Sequence, residues 1–278
     1  MNEIQSDKTV AVITSTIGRA DLVRAIESVQ QQSYPCKHYV FVDGEQYHQR
    51  AKMILDKYPD VIATYLPMNT GADGWTNSSI NAIAPFLVKE DIICYLDDDN
   101  WYEPNHIESG VKLLQDDSYD YAFSLRNLYN LKGDFLVEDS IESIGWYQTA
   151  LPDVIKLNIN AFGESHKLSF RKPKREGHID TNCYFLKKDV AVATSTSWVA
   201  GKDNDTYVWN ALKSSQYQGI CSKKFSVNYT LDVLRFFGGY VVESNSNDQE
   251  YELGEKIVKF LNDANLQGFG GVYIWDVE

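Results

Sequence analysis

The stretch "IICYLDDDNWYEP", from Ile92 to Pro104, places three consecutive aspartates directly behind an apolar run. Like charges that stand side by side repel each other, so three carboxylates at the end of a buried strand need a physical reason. Two interpretations are open at this point. The triplet is either a solvated acidic turn or part of a cation site, because Mg²⁺ and Mn²⁺ are hard cations that prefer carboxylate oxygen.

The residues before this stretch alternate between strand and helix patterns. Apolar β-rich runs predict strands in "TVAVITST", "HYVFVDG", "VIATYLP" and "DIICYL". Helical spacing of apolar residues predicts helices in "GRADLVRAIESVQQQSYP", "QYHQRAKMILDKYP" and "NSSINAIAPFL". This alternation predicts βαβ units and a mainly parallel sheet, in which ligands bind at the carboxyl ends of the strands.

The second half of the chain has a different pattern. The segments "YDYAFSLRNLYN" and "DFLVEDS" predict an antiparallel pair around Gly133. We expect "ESHKLSFRKPKREGH" to be an exposed loop, because it is polar and contains Pro173 and Gly177. Further on we expect a strand and helix in "TNCYFLKKDVAVAT", a helix in "DNDTYVWNALKSS", a last strand in "SVNYTL" and an amphipathic helix in "DQEYELGEKIVKFLNDANLQG".

Composition restricts the class of protein. The 278 residues are 44% hydrophobic and carry a formal net charge of -13, which disfavours binding to nucleic acid or to anionic lipid. An anionic substrate stays possible, since a divalent metal can invert the local field. The four cysteines form no CxxC pair and predict neither a zinc knuckle nor a disulfide framework.

The sequence also bears on location. "MNEIQSDKTV" contains no apolar h-region, and no apolar run is long enough to span a bilayer. We therefore expect a cytoplasmic protein with no transmembrane segment, and a peripheral position at the inner membrane face is left open.

Four motifs in order, with their spacing, resemble the family 2 glycosyltransferases of the GT-A fold. They are "VAVITSTIGRADLVRAIESVQQQSYP", "FVDG", "NTGADGWTNSSINAI" and "YLDDDNWYEP". The hallmark of that family is an aspartate-x-aspartate motif after a strand, followed by an aromatic residue and a proline. The resemblance covers the first half of the chain well and continues weakly to about Asn210.

The resemblance implies a fold and a division of the chain. We expect an α/β, Rossmann-like GT-A fold with a mainly parallel central sheet flanked by helices and a small antiparallel acceptor-side sheet. Residues 1–278 would form one domain. Its nucleotide-binding half would be 1–105, its acceptor-binding half 106–245, and 246–278 a C-terminal helix and tail.

The resemblance also implies donor-binding residues. Thr14 and Thr16 match the end of the first strand that cradles the nucleotide base, and Asp43 matches the acidic residue that holds the base or ribose. Asn77 is the polar candidate in the segment that closes over the nucleotide. For Asp43 a turn residue before a glycine is the alternative, and for Asn77 a first-turn helix residue.

The triplet divides between nucleotide and metal. On an extended backbone Asp97 and Asp99 would point the same way, so that one reaches the nucleotide sugar and the other binds Mn²⁺ or Mg²⁺. Asp98 is assigned with Asp97 to the donor, and Asp99 to the metal. His178 is a second candidate metal ligand, with a structural histidine at a loop end as its alternative.

The catalytic base is expected in "AGKDNDTYVWNAL". Lys202 stands where the family commonly has an acidic residue, so Asp203 matches the base and Asp205 is the fallback. An inverting transfer needs a carboxylate that takes the proton of the acceptor hydroxyl. The alternative is that Asp203 only caps a helix. In "HIDTN", Asp180 and Asn182 are candidates for contacts to sugar hydroxyls.

Two further groups are ambiguous. The basic run "HKLSFRKPKR" is either a solvated loop, a lid over a diphosphate or a contact with a phosphate-bearing acceptor. Trp75, Trp101 and Trp146 are either core residues or platforms that stack on sugars.

The expected function is metal-dependent, inverting transfer of a sugar from a nucleoside diphosphate donor, with UDP favoured. The acceptor would be the hydroxyl of a saccharide or lipid-linked saccharide, as in polysaccharide biosynthesis. A sugar-phosphate nucleotidyltransferase is one alternative, although only Gly18 stands where such enzymes have a Gly-rich loop. A non-catalytic nucleotide-sugar-binding protein is the other, and Lys202 favours it.

Overall fold

The structure, a computed structural model, describes residues 8–145, 149–161, 163–172, 177–233 and 247–276. The predicted alternation of strand and helix in the first half is confirmed. The strands are β1 Val10–Thr16, β2 Lys37–Asp43, β3 Ile62–Leu66, β4 Ile92–Tyr95, β5 Trp101–Tyr102, β6 Tyr121–Tyr129, β7 Phe135–Glu138, β8 Val154–Ala161, β9 Glu164–Arg171, β10 Tyr184–Lys187 and β11 Gly219–Thr230. The helices are α1 Leu22–Gln30, α2 His48–Leu55, α3 Ser78–Leu87, α4 His106–Leu114, α5 Lys188–Ala193, α6 Asn204–Ser214 and α7 Asn247–Gly268.

The large sheet has a parallel part and an antiparallel part. Strands β3, β2, β1 and β4 lie in that order and are all parallel. Strand β10 then pairs antiparallel with both β4 and β6, and β11 and β5 complete the order. Strand β7 pairs antiparallel with β6, so the pair predicted around Gly133 is confirmed. The α/β fold class with a mainly parallel central sheet is also confirmed.

The apolar runs form strands because both faces of the sheet are covered. Val10, Ala11, Val12 and Ile13 of β1 are fully buried, which suits β-branched side chains in a parallel strand. Helix α1 covers part of this sheet with a stripe of apolar residues at helical spacing. Its buried apolar members are Leu22, Ala25, Ile26 and Val29.

The chain divides into two compact units. The first consists of Met1–Leu125 and His178–Val227, and the second of Arg126–Gly177 and Asn228–Glu278. Each unit has its own apolar cluster, and that of the second includes Leu157, Ile257 and Leu261. No helix within the described ranges combines the length and the apolar composition that crossing a bilayer requires.

The expectation of a loop in "ESHKLSFRKPKREGH" was wrong for its first part. Glu164–Arg171 is strand β9, which pairs with β8 in a separate antiparallel two-stranded sheet. Gly163, with φ +80, supplies the left-handed backbone of the connection. The small antiparallel sheet that we expected is therefore present, and this hairpin forms it. Residues 173–175 of the basic run lie outside the described residues.

Parallel strands bring their carboxyl ends to one edge of the sheet. Strand β1 ends at Thr16, β2 ends at Asp43, and β4 is followed by the aspartate triplet, beginning at Asp97. The pairing of Thr16 with Val42 puts the ends of β1 and β2 at the same level. This edge is where polar side chains from distant parts of the sequence meet.

Two buried histidines make the fold sensitive to acid. Burial lowers the pKa of both His38 and His106 to about 3. The unfolded chain takes up a proton at each histidine below about pH 6.5, whereas the folded chain does not. The free energy of unfolding should thus decrease as the pH falls from about 6.5 to about 3, by about 1.4 kcal/mol per pH unit for each histidine.

His106→Asn tests this expectation, because the variant removes one of the two proton-binding groups. Denaturant unfolding measured from about pH 7 to about pH 4 should show a shallower dependence on pH than in the wild type. His38→Asn should reduce the slope by a similar amount. Unchanged slopes in both variants would show that the folded protein protonates these rings.

Candidate active site

The aspartate triplet lies in a turn just beyond β4. The strand ends at Tyr95, and the amide of Asn100 donates to the carbonyl oxygen of Asp97 at 3.2 Å. The expectation that Asp97 and Asp99 share a face on an extended backbone was therefore wrong. The turn instead directs Asp97 toward two side-chain amides, and Asp98 and Asp99 toward one arginine.

Asp97 is held by two amides. Asn77 Nδ2 donates to its Oδ1 at 2.8 Å, and Asn182 Nδ2 donates to its Oδ2 at 2.9 Å. The Oδ1 of Asn182 in turn accepts from the Asp97 amide at 2.6 Å, so Asn182 clamps both side chain and backbone. Burial raises the pKa of Asp97 to about 7, and the charges of Asp99 and Asp180 add to this while the two amides oppose it.

The Asn182 clamp is itself positioned by Asp180. Asp180 Oδ1 accepts from the Asn182 amide and from Asn182 Nδ2, each at 2.9 Å. Both residues are buried. They contact the triplet through Asn182, and their predicted role toward sugar hydroxyls stays a prediction.

Asp98 and Asp99 share a cation. Thr16 Oγ1 donates to Asp98 Oδ2 at 2.6 Å, and Arg19 Nη1 lies 3.4 Å from Asp98 Oδ1. The same Arg19 Nη1 lies 2.7 Å from Asp99 Oδ2, and Arg24 donates to the carbonyl oxygen of Asp99. Burial raises the pKa of Asp98 to about 6 and also raises that of Asp99, while Arg19 opposes both shifts.

A chain of amides links the triplet to the start of helix α6. Asn204, its first residue, donates to Asn77 Oδ1 at 2.8 Å, and Asn77 donates to Asp97. Ser78 Oγ donates to the carbonyl oxygen of Gly201 at 3.0 Å. Asp203, at the N-cap of α6, is exposed and makes no side-chain capping hydrogen bond. The carboxylate of Asp203 is therefore not used as a helix cap.

Asp43 organises the loop that precedes α3. Its Oδ1 accepts from the amide of Thr70 at 2.8 Å and from the hydroxyl of Thr70 at 2.9 Å, and its Oδ2 accepts from the amide of Gly71 at 2.8 Å. A Cβ on Gly71 would lie 2.2 Å from the carbonyl oxygen of Thr76, so this close approach requires glycine. Asp43 is thus more than a turn residue before Gly44.

Thr14 and His178, predicted to bind the base and a metal, each have a protein side chain close to their polar atoms. Thr14 is fully buried, and its hydroxyl lies 2.9 Å from His38 Nε2. His178 is buried, and its Nε2 lies 3.9 Å from Asp205 Oδ2. In the part of the chain that the structure describes, no three His, Cys, Asp or Glu side chains form a group that could hold a metal.

The tryptophans differ in exposure. Trp75, within residues 71–77, is 44% exposed, so its ring is accessible to a ligand. Trp101 is covered by Arg24, whose guanidinium carbon lies 3.7 Å from the ring centroid. Trp146 lies outside the described residues.

Sequence reasoning missed the two arginines and Asn204. Arg19 follows Gly18 directly, and Gly18, with φ +75, would clash with the Ala51 amide if it carried a Cβ. A signal was available, because a buried acidic triplet requires a cation and Arg19 stands in the first of the four motifs. No comparable signal existed for Asn204, which meets Asn77 across 127 positions of sequence.

The chain belongs to glycosyl transferase family 2, whose family model matches residues 11–192. An uncharacterized protein of Haemophilus influenzae (strain ATCC 51907 / DSM 11121 / KW20 / Rd) is 30% identical over 149 residues, which are 52% of this chain and 87% of that protein. The resemblance inferred from the four motifs is confirmed.

Solved structures show the same fold at low identity. Residues 1–349 of S. aureus TarS in complex with UDP-GlcNAc match with a TM-score of 0.52 and 12% identity, over 81% of this chain and 58% of that one. The mannosyltransferase PcManGT of Pyrobaculum calidifontis in complex with GDP-Man and Mn²⁺ matches with a TM-score of 0.51 and 11% identity, over 94% and 72%. These likenesses establish the GT-A fold.

Asp43→Ala should loosen the Asn69–Gly71 loop, since it removes the acceptor of three hydrogen bonds. Hydrogen exchange of the Thr70 and Gly71 amides should become faster, by the equivalent of about 1–3 kcal/mol in the local opening equilibrium. Glu45→Ala, which removes an exposed carboxylate two residues away, is the matched control and should leave exchange unchanged. If the Thr70 and Gly71 amides exchange equally fast in both variants, Asp43 does not stabilise this loop.

Proposed function

We propose that the protein transfers a sugar from a nucleoside diphosphate donor to a hydroxyl acceptor, with inversion at the anomeric carbon. The observation that carries this proposal is the chain of hydrogen bonds from Asp97 through Asn77 to Asn204. It ties the acidic turn, the proposed place of the donor, to the helix start beside Asp203, the proposed base. Family membership supports the class of reaction.

The nucleotide would lie along the carboxyl ends of β1 and β2. A carboxylate offers about four acceptor positions, and Asp43 uses three of them for Thr70 and Gly71. Asp43 is 2% exposed, so its fourth position would reach a ribose hydroxyl or the base only after this loop opens. Asn77, Asp97 and Asp98 would face the donor, as would Thr16. A base contact of Thr14 would require it to leave His38.

UDP is the nucleotide that we propose for the donor. The similar TarS structure is a complex with UDP-GlcNAc and the PcManGT structure a complex with GDP-Man, so both bases occur on this fold. The acceptor that we propose is a saccharide or lipid-linked saccharide.

The acidic turn suits a divalent cation, Mn²⁺ or Mg²⁺. The Asp99 side chain is 36% exposed and offers a hard carboxylate oxygen. Such a cation would neutralise charge on the leaving diphosphate. Asp99 would have to release Arg19 first, and His178 would need to leave Asp205 to become a ligand.

Asp203 has the surroundings that a general base needs. Its carboxylate is exposed and is not engaged as a cap, so it can accept the proton of an acceptor hydroxyl. The neighbouring Asn204 is buried and bonded to both Asn77 and Ser78, which fixes the backbone at Asp203.

UDP should raise the melting temperature more with Mn²⁺ than with EDTA, because ligand that binds only the folded state stabilises it. Asp99→Ala should abolish the difference between the two melting-temperature shifts. If UDP raises the melting temperature of the wild type equally with Mn²⁺ and with EDTA, nucleotide binding does not depend on a divalent metal.

Arg19→Gln should raise the affinity of the protein for Mn²⁺ without nucleotide by about two- to fivefold, because it removes the ion pair that competes for Asp99. Electron paramagnetic resonance measures this affinity.

Asp203→Asn keeps the size of the side chain and removes its basicity. Turnover should fall by roughly 10²–10⁴-fold, while donor affinity and melting temperature stay close to the wild type. Asp189→Asn, an exposed aspartate in the first turn of α5, is the matched control and should be silent. A near-wild-type rate for Asp203→Asn would overturn the assignment and direct the test to Asp205.

A further inference from the structure

The β8–β9 hairpin of the second unit has one buried face and one outward face. Along β8, Ile155, Leu157 and Ile159 are buried, while Lys156 and Asn158 between them are exposed. The cross-strand register places Lys156 opposite Ser169 and Asn158 opposite Lys167. The outward residues of both strands therefore form one continuous surface, which we call the hairpin face.

The hairpin face is basic in an acidic protein. Its charged residues are Lys156, Lys167 and Arg171, and no outward position of the two strands holds Asp or Glu. The whole chain has 39 acidic and 26 basic residues. The hairpin face thus carries only positive charges, whereas the chain as a whole has a negative net charge.

The three cations lie close together. Lys156 faces Ser169, so Lys167 and Arg171 are its two diagonal neighbours, at about 7–8 Å. Like charges at this separation repel, and the described residues provide no ion pair to any of the three. An anion bound at the hairpin face would remove this repulsion.

The spacing of the cations indicates more than one anionic group. Lys167 and Arg171 are four residues apart on one strand, which is about 13 Å. A single phosphate or carboxylate is smaller than this distance. A chain that carries anionic groups at intervals would satisfy the cations together.

The neutral residues of the hairpin face suit a hydroxyl-rich ligand. They include Asn158, Asn160, Ser165 and Ser169, whose amides and hydroxyls both donate and accept hydrogen bonds. Ser165 and Asn158 already form such a bond at 2.9 Å. Val154 is the one large apolar residue among the outward positions, whereas binding to a lipid surface uses several.

We propose that the hairpin face binds a polyhydroxyl polymer with repeated anionic groups, phosphate or carboxylate, and so selects the acceptor. This inference rests on the proposed function only in naming the polymer as acceptor; the binding itself involves the second unit alone. It narrows the saccharide acceptor to an anionic one.

Three labelled polymers with one backbone test the proposal: dextran phosphate, carboxymethyl dextran and plain dextran. Full-length protein should bind one or both anionic polymers and not plain dextran, and raising NaCl from about 50 mM to about 300 mM should weaken binding. The triple variant Lys156→Gln, Lys167→Gln, Arg171→Gln should bind about 10- to 100-fold more weakly. The dextran phosphate and carboxymethyl dextran arms distinguish the two anions.

A charge-matched control separates a local effect from net charge. Lys52→Gln, Lys57→Gln, Lys112→Gln removes three exposed cations of the first unit and should leave binding unchanged. Equal loss in both triple variants, or no binding of either anionic polymer by the wild type, would overturn the proposal. Binding to phosphatidylglycerol vesicles without binding to the polymers would also overturn it, in favour of a membrane surface.

Asp99→Ala separates this proposal from the proposed function. Because Asp99 belongs to the first unit, the variant should bind the anionic polymer as the wild type does. Polymer binding without any sugar transfer by the wild type would contradict the proposed function and leave the hairpin face as a binding site. The hairpin triple variant should transfer sugar to an anionic acceptor more slowly than the wild type. An unchanged rate would show that the hairpin face does not select the acceptor.

Discussion

Three carboxylates can stand side by side behind β4 only because donors from separate parts of the chain compensate them. Thr16 comes from the end of β1, Arg19 from the turn after it, Asn77 from the start of α3, and Asn182 from the segment before β10. These contacts join four separate segments of the chain at the edge of the sheet where the proposed chemistry takes place.

The loop before α3 has an unfavourable backbone conformation that its hydrogen bonds and packing stabilise. Asp73 and Thr76 have positive φ angles of 54° and 52°, which are unfavourable for residues other than glycine and cost of order 1–3 kcal/mol each. The three hydrogen bonds to Asp43 and the close packing at Gly71 oppose this cost. The exposed Trp75 lies in this loop, two residues before Asn77, whose side chain donates to Asp97.

Much of the fold could be predicted from the sequence because it follows from local patterns. Alternating apolar strands and helices predict the parallel sheet, and the strand ends place Thr16, Asp43 and Asp97 at one edge. The contact of Asn77 with Asn204 could not be predicted, because it depends on how distant segments pack. The hairpin was missed because the polar composition, Pro173 and Gly177 favoured a loop, and the period-two alternation of Ile155, Leu157 and Ile159 was not used.

We propose that the acidic turn and the start of α6 form one site for sugar transfer. The most direct test incubates the protein with UDP- and GDP-sugars and Mn²⁺ and identifies the products by mass spectrometry. We expect a nucleoside diphosphate and a transferred or hydrolysed sugar, and we expect Asp99→Ala to form neither product. Release of a sugar 1-phosphate would show that a different bond is broken and would overturn the proposed function, as would intact donors throughout the panel.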